Sequence, residues 1–427
     1  MRVAIVGAGS HVFGPAVLTQ FLLEEKAGGI NFVLIDPNDD AVNRLALVGR
    51  KMADLRGIRV SFTPRRHFDR AFEGADIVIN LAAVEMKKRF LIDQSIVAGF
   101  DPGHILTEFG GLHGLSSSLR QMSLTSEIAR EIRENSPNAW LVNLSNPLPR
   151  TCAAAYATGV KTLGLCSVSL VGTDLVAQVL GEPRESYPFS QARARIGIKK
   201  GGTNHLTWAS EIWDKTTGQD LYPTIREKLP EDLLGTKTAL TLERLGWLPL
   251  AGDDHIQDFL PLDGTERSLD HLSHGNDDDR EFRIALMHEV IDGQEQVESL
   301  IEPRAWEPIA QVSLALAGQL DLPLEAVNLV NEGQIPELPK GIFVETSGVV
   351  TSGHLSPDEF HLPKEVLPDA QRTAEIHRLI ALGFLTKAKR PLRQAIELDP
   401  TVTDKGVALR ALDALLSAHA DLIGSYD

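Results

Sequence analysis

Cysteine is nearly absent: Cys152 and Cys166 are the only two in 427 residues. Two cannot build a disulfide framework, and in a reducing compartment both remain thiols available for packing or chemistry. Long apolar runs are missing too, since no stretch approaches 18 uninterrupted apolar residues, so no membrane-spanning helix is expected. Positive charge is scarce, with 42 Lys and Arg against 58 Asp and Glu, a net charge of −16. That balance argues against a general nucleic-acid or membrane-surface binder. It still allows a small anionic ligand, because a few local cations decide that. Met1 runs straight into "RVAIVGAG" with no basic leader pattern, which leads us to expect a cytoplasmic protein.

What is present is alternation. Short β-branched runs, "RVAIVG" (2–7), "NFVLID" (31–36), "DIVINLA" (76–82), "AWLVNLS" (139–145) and "TLGLCSV" (162–168), are separated by helical patterns such as "SLRQMSLTSEIAREIRENSP" (118–137). Repeated βαβ units predict an α/β fold with a Rossmann-like, doubly wound parallel sheet. After about residue 173 the pattern turns to longer helical stretches broken by strand-like pieces such as 192–213, which predicts an α+β second domain. The expected division is 1–172 for nucleotide binding and 173–427 for substrate, metal and oligomerisation. An acidic stretch at 268–281 reads as a loop or helix start, and the tail from 366 reads as helices.

The first strand ends in Gly7-Ala8-Gly9-Ser10, where glycines let a pyrophosphate approach the amides of a helix N-terminus. The third glycine of G-x-G-x-x-G is replaced by Val12, and Gly14 comes two residues late. Asp36 ends the next strand, placed to accept hydrogen bonds from an adenosine ribose and to repel a 2′-phosphate, so NAD is favoured over NADP.

Cys166 lies at the C-terminal end of a predicted parallel strand, the edge where open α/β sheets bind ligands. Alone it reads more readily as a small buried hydrophobe, since free Cys is among the most buried residue types. His205, in "KKGGTNHLTW" (199–208), strengthens the chemical reading, because thiolate and imidazole together suit a borderline divalent metal with open positions for substrate oxygens. A third segment, "LGWLPLAGDDHIQDFLP" (245–261), packs Asp253, Asp254, His255 and Asp258 together, either for acid–base work or as a solvated acidic loop.

Taken in order, "VGAGS", "NLSNPLPRTCAAA", "GLCSV", "GGTNHLTW", "AGDDHIQDFLP" and "NEGQIPELPKGIFVETSGVV" resemble the NAD-dependent glycosidases of glycoside hydrolase family 4, from Val3 to about Leu355. The resemblance implies a fold like malate and lactate dehydrogenases. It also implies a retaining-type, redox-neutral cleavage: transient oxidation at sugar C3, loss of the C2 proton, elimination of the aglycone and return of the hydride. It implies NAD at Gly7, Gly9, Ser10, Asp36, Asn80 and Asn143, and a divalent metal, usually Mn²⁺, on Cys166 and His205. Asn146 and Asn204 match positions that contact sugar or nicotinamide. Asp253 is the candidate base, with His255 beside it. Where the family carries His, Asn or Asp after the ligand cysteine, this chain has Ser167, a poor acid, and His113 in "GGLHG" is the candidate replacement.

That departure suggests the related NAD-dependent sulfoquinovosidases, or otherwise the α-galacturonidases and α-glucuronidases. Each acts on an anionic glycoside, for which Lys87, Lys88, Arg89, Lys199 and Lys200 are the cationic candidates. An ordinary NAD-dependent sugar or polyol dehydrogenase and a catalytically silent NAD sensor are the competing readings. A homodimer or homotetramer is implied by the resemblance.

Overall fold

The β-branched runs form the first strands of the computed structural model, which describes residues 1–101, 106–181, 195–228, 235–260, 262, 277–300 and 307–427. These are β1 (Arg2–Val6), β2 (Asn31–Ile35), β3 (Ser61–Arg65), β4 (Ile77–Asn80), β5 (Trp140–Asn143) and β6 (Lys161–Gly164). All pair in parallel in the order β3-β2-β1-β4-β5-β6. The order reverses between β1 and β4, which opens a crevice beyond their C-terminal ends. The five predicted runs are all strands. β3 carries Pro64 and escaped prediction; it lies at the sheet edge, where a missing N–H is tolerated.

Helices α1 (Phe13–Leu23), α2 (Asp39–Arg56), α3 (Met86–Phe100), α4 (Gly111–Asn135), α5 (Leu148–Tyr156) and α6 (Val168–Val179) connect and cover these strands. Alternate strand residues face opposite layers. Val3, Ile5 and Leu34 pack against Leu18, Phe21 and Leu45 of α1 and α2. Ala4, Val33, Val78 and Leu141 pack against Ile128 and Ile132 of α4.

The second part supplies β7 (Ile196–Thr203), β8 (Leu206–Asp214), β9 (Leu248–Pro249), β10 (Leu322–Val330), β11 (Phe343–Thr351) and β12 (His354–Pro357). They extend the same sheet beyond β6 as β10-β11-β7-β8-β9, with β12 also on β11, and every added pairing is antiparallel. The division expected after residue 172 therefore falls inside α6, and the sheet runs on across it. Its helices are α7 (Tyr222–Lys228), α8 (Thr236–Leu245), α9 (Asp253–Ile256), α10 (Asp277–Asp292) and α11 (Ile309–Leu316). Of the acidic stretch 268–281, residues 268–276 lie outside the described residues and the remainder begins α10.

The tail is helical, as predicted: α12 (Leu367–Thr386), α13 (Lys389–Leu398), α14 (Lys405–Ala418) and α15 (Ala420–Ile423). It turns back onto the first part, where Leu379, Ile380, Leu412 and Leu415 share a core with Leu112, Leu115, Leu119 and Met122 of α4. No described helix is long and apolar enough to cross a membrane.

Candidate active site

At the nucleotide crevice Gly7 has φ +80°, and a Cβ there would lie 2.7 Å from the Ala82 amide nitrogen. Only glycine permits this turn between β1 and the end of β4. The Gly9 N–H donates to Asp36 Oδ2 at 2.9 Å, and Asn38 N–H donates to Oδ1 at 2.9 Å. Asp36 thus ties the glycine turn to the end of β2 and keeps lone pairs for a ribose. Ser10 Oγ accepts from Phe13 N–H at the start of α1. The late Gly14 does the work of the missing third glycine, since a Cβ there would meet the Ala8 carbonyl at 2.7 Å. Asn80 and Asn143 need correction as cofactor contacts. Both are fully buried: Asn80 Nδ2 donates to Asn143 Oδ1 at 2.8 Å, and Asn143 Nδ2 donates to Thr151 Oγ1 at 2.9 Å. They brace the strand ends beneath the crevice.

At the end of β6, Cys166 Sγ lies 3.2 Å from His205 Nε2, joining residues 39 apart in sequence. His205 sits in the two-residue turn between β7 and β8 with φ +66°, a strained conformation that clusters at functional sites. Burial pushes the Cys166 thiol well above its usual range, and the charges of Glu345 and Glu307 push it further. A thiol so placed stays protonated unless a cation takes the proton's place, and a divalent metal does that outright. A sulfur and an imidazole nitrogen at this spacing form the donor set of a borderline divalent ion.

The opposite edge of the His205 ring meets a residue the sequence did not single out. Glu108 Oε2 is 3.9 Å from His205 Nδ1 and 3.9 Å from His255 Nδ1. The ligand atoms of Glu108, His205 and His255 lie within 4.8 Å of one another. The two imidazoles meet at 4.3 Å between centroids, with Phe109 against His205 at 4.2 Å. Burial pushes the Glu108 carboxyl up to about 7, while the bond from Asn146 Nδ2, 3.0 Å from Oε1, pulls the other way.

Distant parts of the chain hold Glu108 in place. The N–H groups of Glu108 and Phe109 donate to Asp258 Oδ2 at 3.1 and 3.0 Å, and that of Gly111 donates to Asp399 Oδ2 at 2.7 Å. Arg150, fully buried, donates to the Phe109 carbonyl at 2.8 Å and to His377 Nδ1 at 3.0 Å. A second buried carboxylate, Glu345, accepts from Asn204, Thr207 and Asn328 at 3.0, 2.8 and 2.7 Å. Asn146 and Asn204 thus spend amide N–H groups on carboxylates, while both Oδ1 atoms are buried with no hydrogen-bond partner among the described residues. Ser167 donates its hydroxyl and its amide to Glu307, a carboxyl that burial pushes up.

Five predicted site residues lie elsewhere. Asp253 accepts from the N–H groups of Lys237 and Thr238 at 2.9 and 2.8 Å and from Thr238 Oγ1 at 2.9 Å, so its carboxylate caps α8. His113 is buried within α4, bonded to Asp93 Oδ2 at 2.9 Å, and supplies no acid to the site. Arg89 is buried against Glu85 and Asp421, joining α3 to α15. Lys88 pairs with Glu85 and Lys199 with Glu211, both on the surface. Lys200, in contrast, is buried against the Ser169 carbonyl and Thr173 Oγ1.

Residues 2–182 match the family described as family 4 glycosyl hydrolase, and residues 201–402 match its C-terminal domain. The chain is 24% identical to an α-galactosidase of Bacillus subtilis (strain 168), over 100% of this chain and 99% of that one. It is 26% identical to an α-galacturonidase of the same organism, over 94% and 93%. A solved 6-phospho-α-glucosidase from gut microorganisms, in complex with NAD and Mn²⁺, superposes with a TM-score of 0.78 at 20% identity, over 100% of this chain and 99% of that one.

Proposed function

The chain belongs to glycoside hydrolase family 4, and from that premise we propose that it is an NAD-dependent, redox-neutral glycosidase acting on a small anionic glycoside. The observation that carries this reading is Cys166 Sγ at 3.2 Å from His205 Nε2, at the end of β6. A dehydrogenase of the malate type has no use for a bound metal, whereas removal of a sugar C2 proton does. NAD⁺ over the Gly7–Gly9 turn would supply the hydride acceptor for C3, and Mn²⁺ on Cys166 and His205 would polarise the C2 and C3 oxygens.

The chain's own residues do the rest. Asp36 orients the adenosine ribose. Asn146 and Asn204 offer their free Oδ1 atoms to sugar hydroxyls. With the sugar oxidised at C3 its C2 proton is acidic, and Glu108, the carboxylate facing both His205 and His255, takes it in the role expected above of Asp253. The aglycone then leaves C1 with its bonding pair and picks up a proton as a C1–C2 double bond forms; water adds at C1, the proton returns to C2 and the hydride would return to C3, so no net oxidation results.

For the substrate, the α-sulfoquinovosides stand first and the α-hexuronides second. Ser167 in place of the usual His, Asn or Asp supports the former, and the relative named α-galacturonidase supports the latter. The setting is the cytoplasm, as a homodimer or homotetramer. The test is nitrophenol release from 4-nitrophenyl α-sulfoquinovoside, α-galacturonide and α-glucuronide after stripping and restoring NAD⁺ and Mn²⁺. Release that needs NAD⁺ yet accumulates no NADH is expected. NADH building up on free sugars without release would make the protein a dehydrogenase.

A further inference from the structure

Helix α8 starts against the loop that carries His255. The Asp253 cap fixes its first turn to a residue two positions before that histidine. The Lys237 side chain follows the same loop, and its Nζ donates to Oε1 of Gln257, two positions after His255, at 2.9 Å. Lys237 is 6% exposed and Gln257 2% exposed. Among the described residues that neutral amide oxygen is the ammonium's one partner, and no ion pair accompanies it.

An ammonium brings a full charge and three N–H donors, and burying them is costly unless an opposite charge is at hand. The carboxylate at the start of α8, Asp253, is occupied with the amides of that helix and the Thr238 hydroxyl. Of the cations first considered for the substrate, Lys88 and Arg89 pair with Glu85, Arg89 also with Asp421, and Lys199 with Glu211, while buried Lys200 donates to the Ser169 carbonyl and Thr173 Oγ1. Buried Arg120 has Asp93. Lys237, buried at the start of α8 beside the loop that carries His255, has only the Gln257 amide oxygen opposite its ammonium among the described residues.

We propose that Lys237 is a specificity-determining residue whose ammonium binds the anionic substituent of the substrate, a sulfonate or a carboxylate. This rests on the glycosidase reading above. Gln257 holds the amine in position and leaves two N–H donors for the anion, a charge-assisted contact that a neutral hydroxymethyl group cannot match.

The test compares kcat/KM of the holoenzyme, K237M and K237R on 4-nitrophenyl α-sulfoquinovoside and α-galacturonide, each beside its neutral counterpart, the α-glucoside and α-galactoside. In K237M, kcat/KM on the preferred anionic substrate should fall about 100-fold, with the neutral counterparts within about threefold, and K237R should retain at least about a tenth of wild-type activity. The two anionic arms tell sulfonate from carboxylate. Equal losses on anionic and neutral substrates, or no loss on the anionic one, would overturn the assignment. So would a wild-type enzyme that turns over only neutral glycosides, an outcome that leaves the glycosidase reading standing. If no glycoside is cleaved, that reading fails. Lys237 is then decided by whether sulfoquinovose or galacturonate raises the melting temperature of the wild type more than glucose or galactose does, and less so in K237R. The same comparison decides it if K237M does not fold.

Discussion

Two carboxylates, the buried Asp93 and the half-buried Glu108, are each flanked by two histidines, yet they are built for opposite ends. Asp93 accepts from His113, Ser116 and Arg120, and from His419 at 2.7 Å. Burial alone would raise its pKa, but the bonds from His113 and His419 and the charge of Arg120 outweigh it and hold the group well below the carboxylate range. Glu108 has one neutral donor, Asn146, and its two imidazoles stand at 3.9 Å, beyond hydrogen-bond length. Burial therefore wins there. Compensation, and not the identity of the residues, separates a fastener from a reactive group.

That contrast is breakable by substitution. The largest effect belongs to the site: E108Q should lower kcat by about 10²- to 10⁴-fold with unfolding stability preserved, measured by steady-state kinetics and urea denaturation. C166S should cost at least about 100-fold in kcat or Mn²⁺ affinity, again without loss of stability, and near-wild-type turnover without added metal would remove the thiol from the mechanism.

At the fastener the effects move to stability. D93N should cost about 3–5 kcal/mol of unfolding free energy, because it strands buried Arg120, and the folded fraction should keep its kcat. Because the folded pKa of Asp93 is depressed, its contribution is fully present above the unfolded value of about 3.9. The gap between wild type and D93N should therefore stay constant from about pH 8 to 5 and shrink as the pH falls below about 4. A smaller effect sharpens the comparison most. H113N should lose about 1–3 kcal/mol of stability and keep kcat/KM, whereas H255N should do the reverse. Smallest of all, K199M should change stability by less than about 0.5 kcal/mol and leave kcat/KM unchanged, since its partner Glu211 is also exposed.

Much of this was legible in the sequence because its signals are local. A strand, two glycines and an aspartate 27 residues on mark the nucleotide crevice, and "GLCSV" and "GGTNH" carry the two residues, Cys166 and His205, that meet at the end of β6. What was illegible depends on partners far along the chain. Glu108 has no local pattern around it, and its position comes from Asp258, Asp399 and Arg150. Asp253 looked like a base because the helix end it caps lies 15 residues upstream. His113 looked like a loop residue because paired glycines precede it, yet α4 begins at Gly111 and buries it. Arg89 looked free because its partner Asp421 is 332 residues away.

The remote anchoring of the 106–111 segment also orders events during synthesis. The crevice strands β1 to β6 are complete by residue 164, and amino-terminal units fold first as a chain emerges from the ribosome. Glu345 and Asp399, however, are made near the end, and Asp399 supplies the last hydrogen bond that fixes the Glu108 loop. A nascent chain therefore completes its dinucleotide crevice long before the Glu108 loop gains its last anchor. A prematurely terminated chain could hold the whole crevice and still lack the bond that fixes that loop.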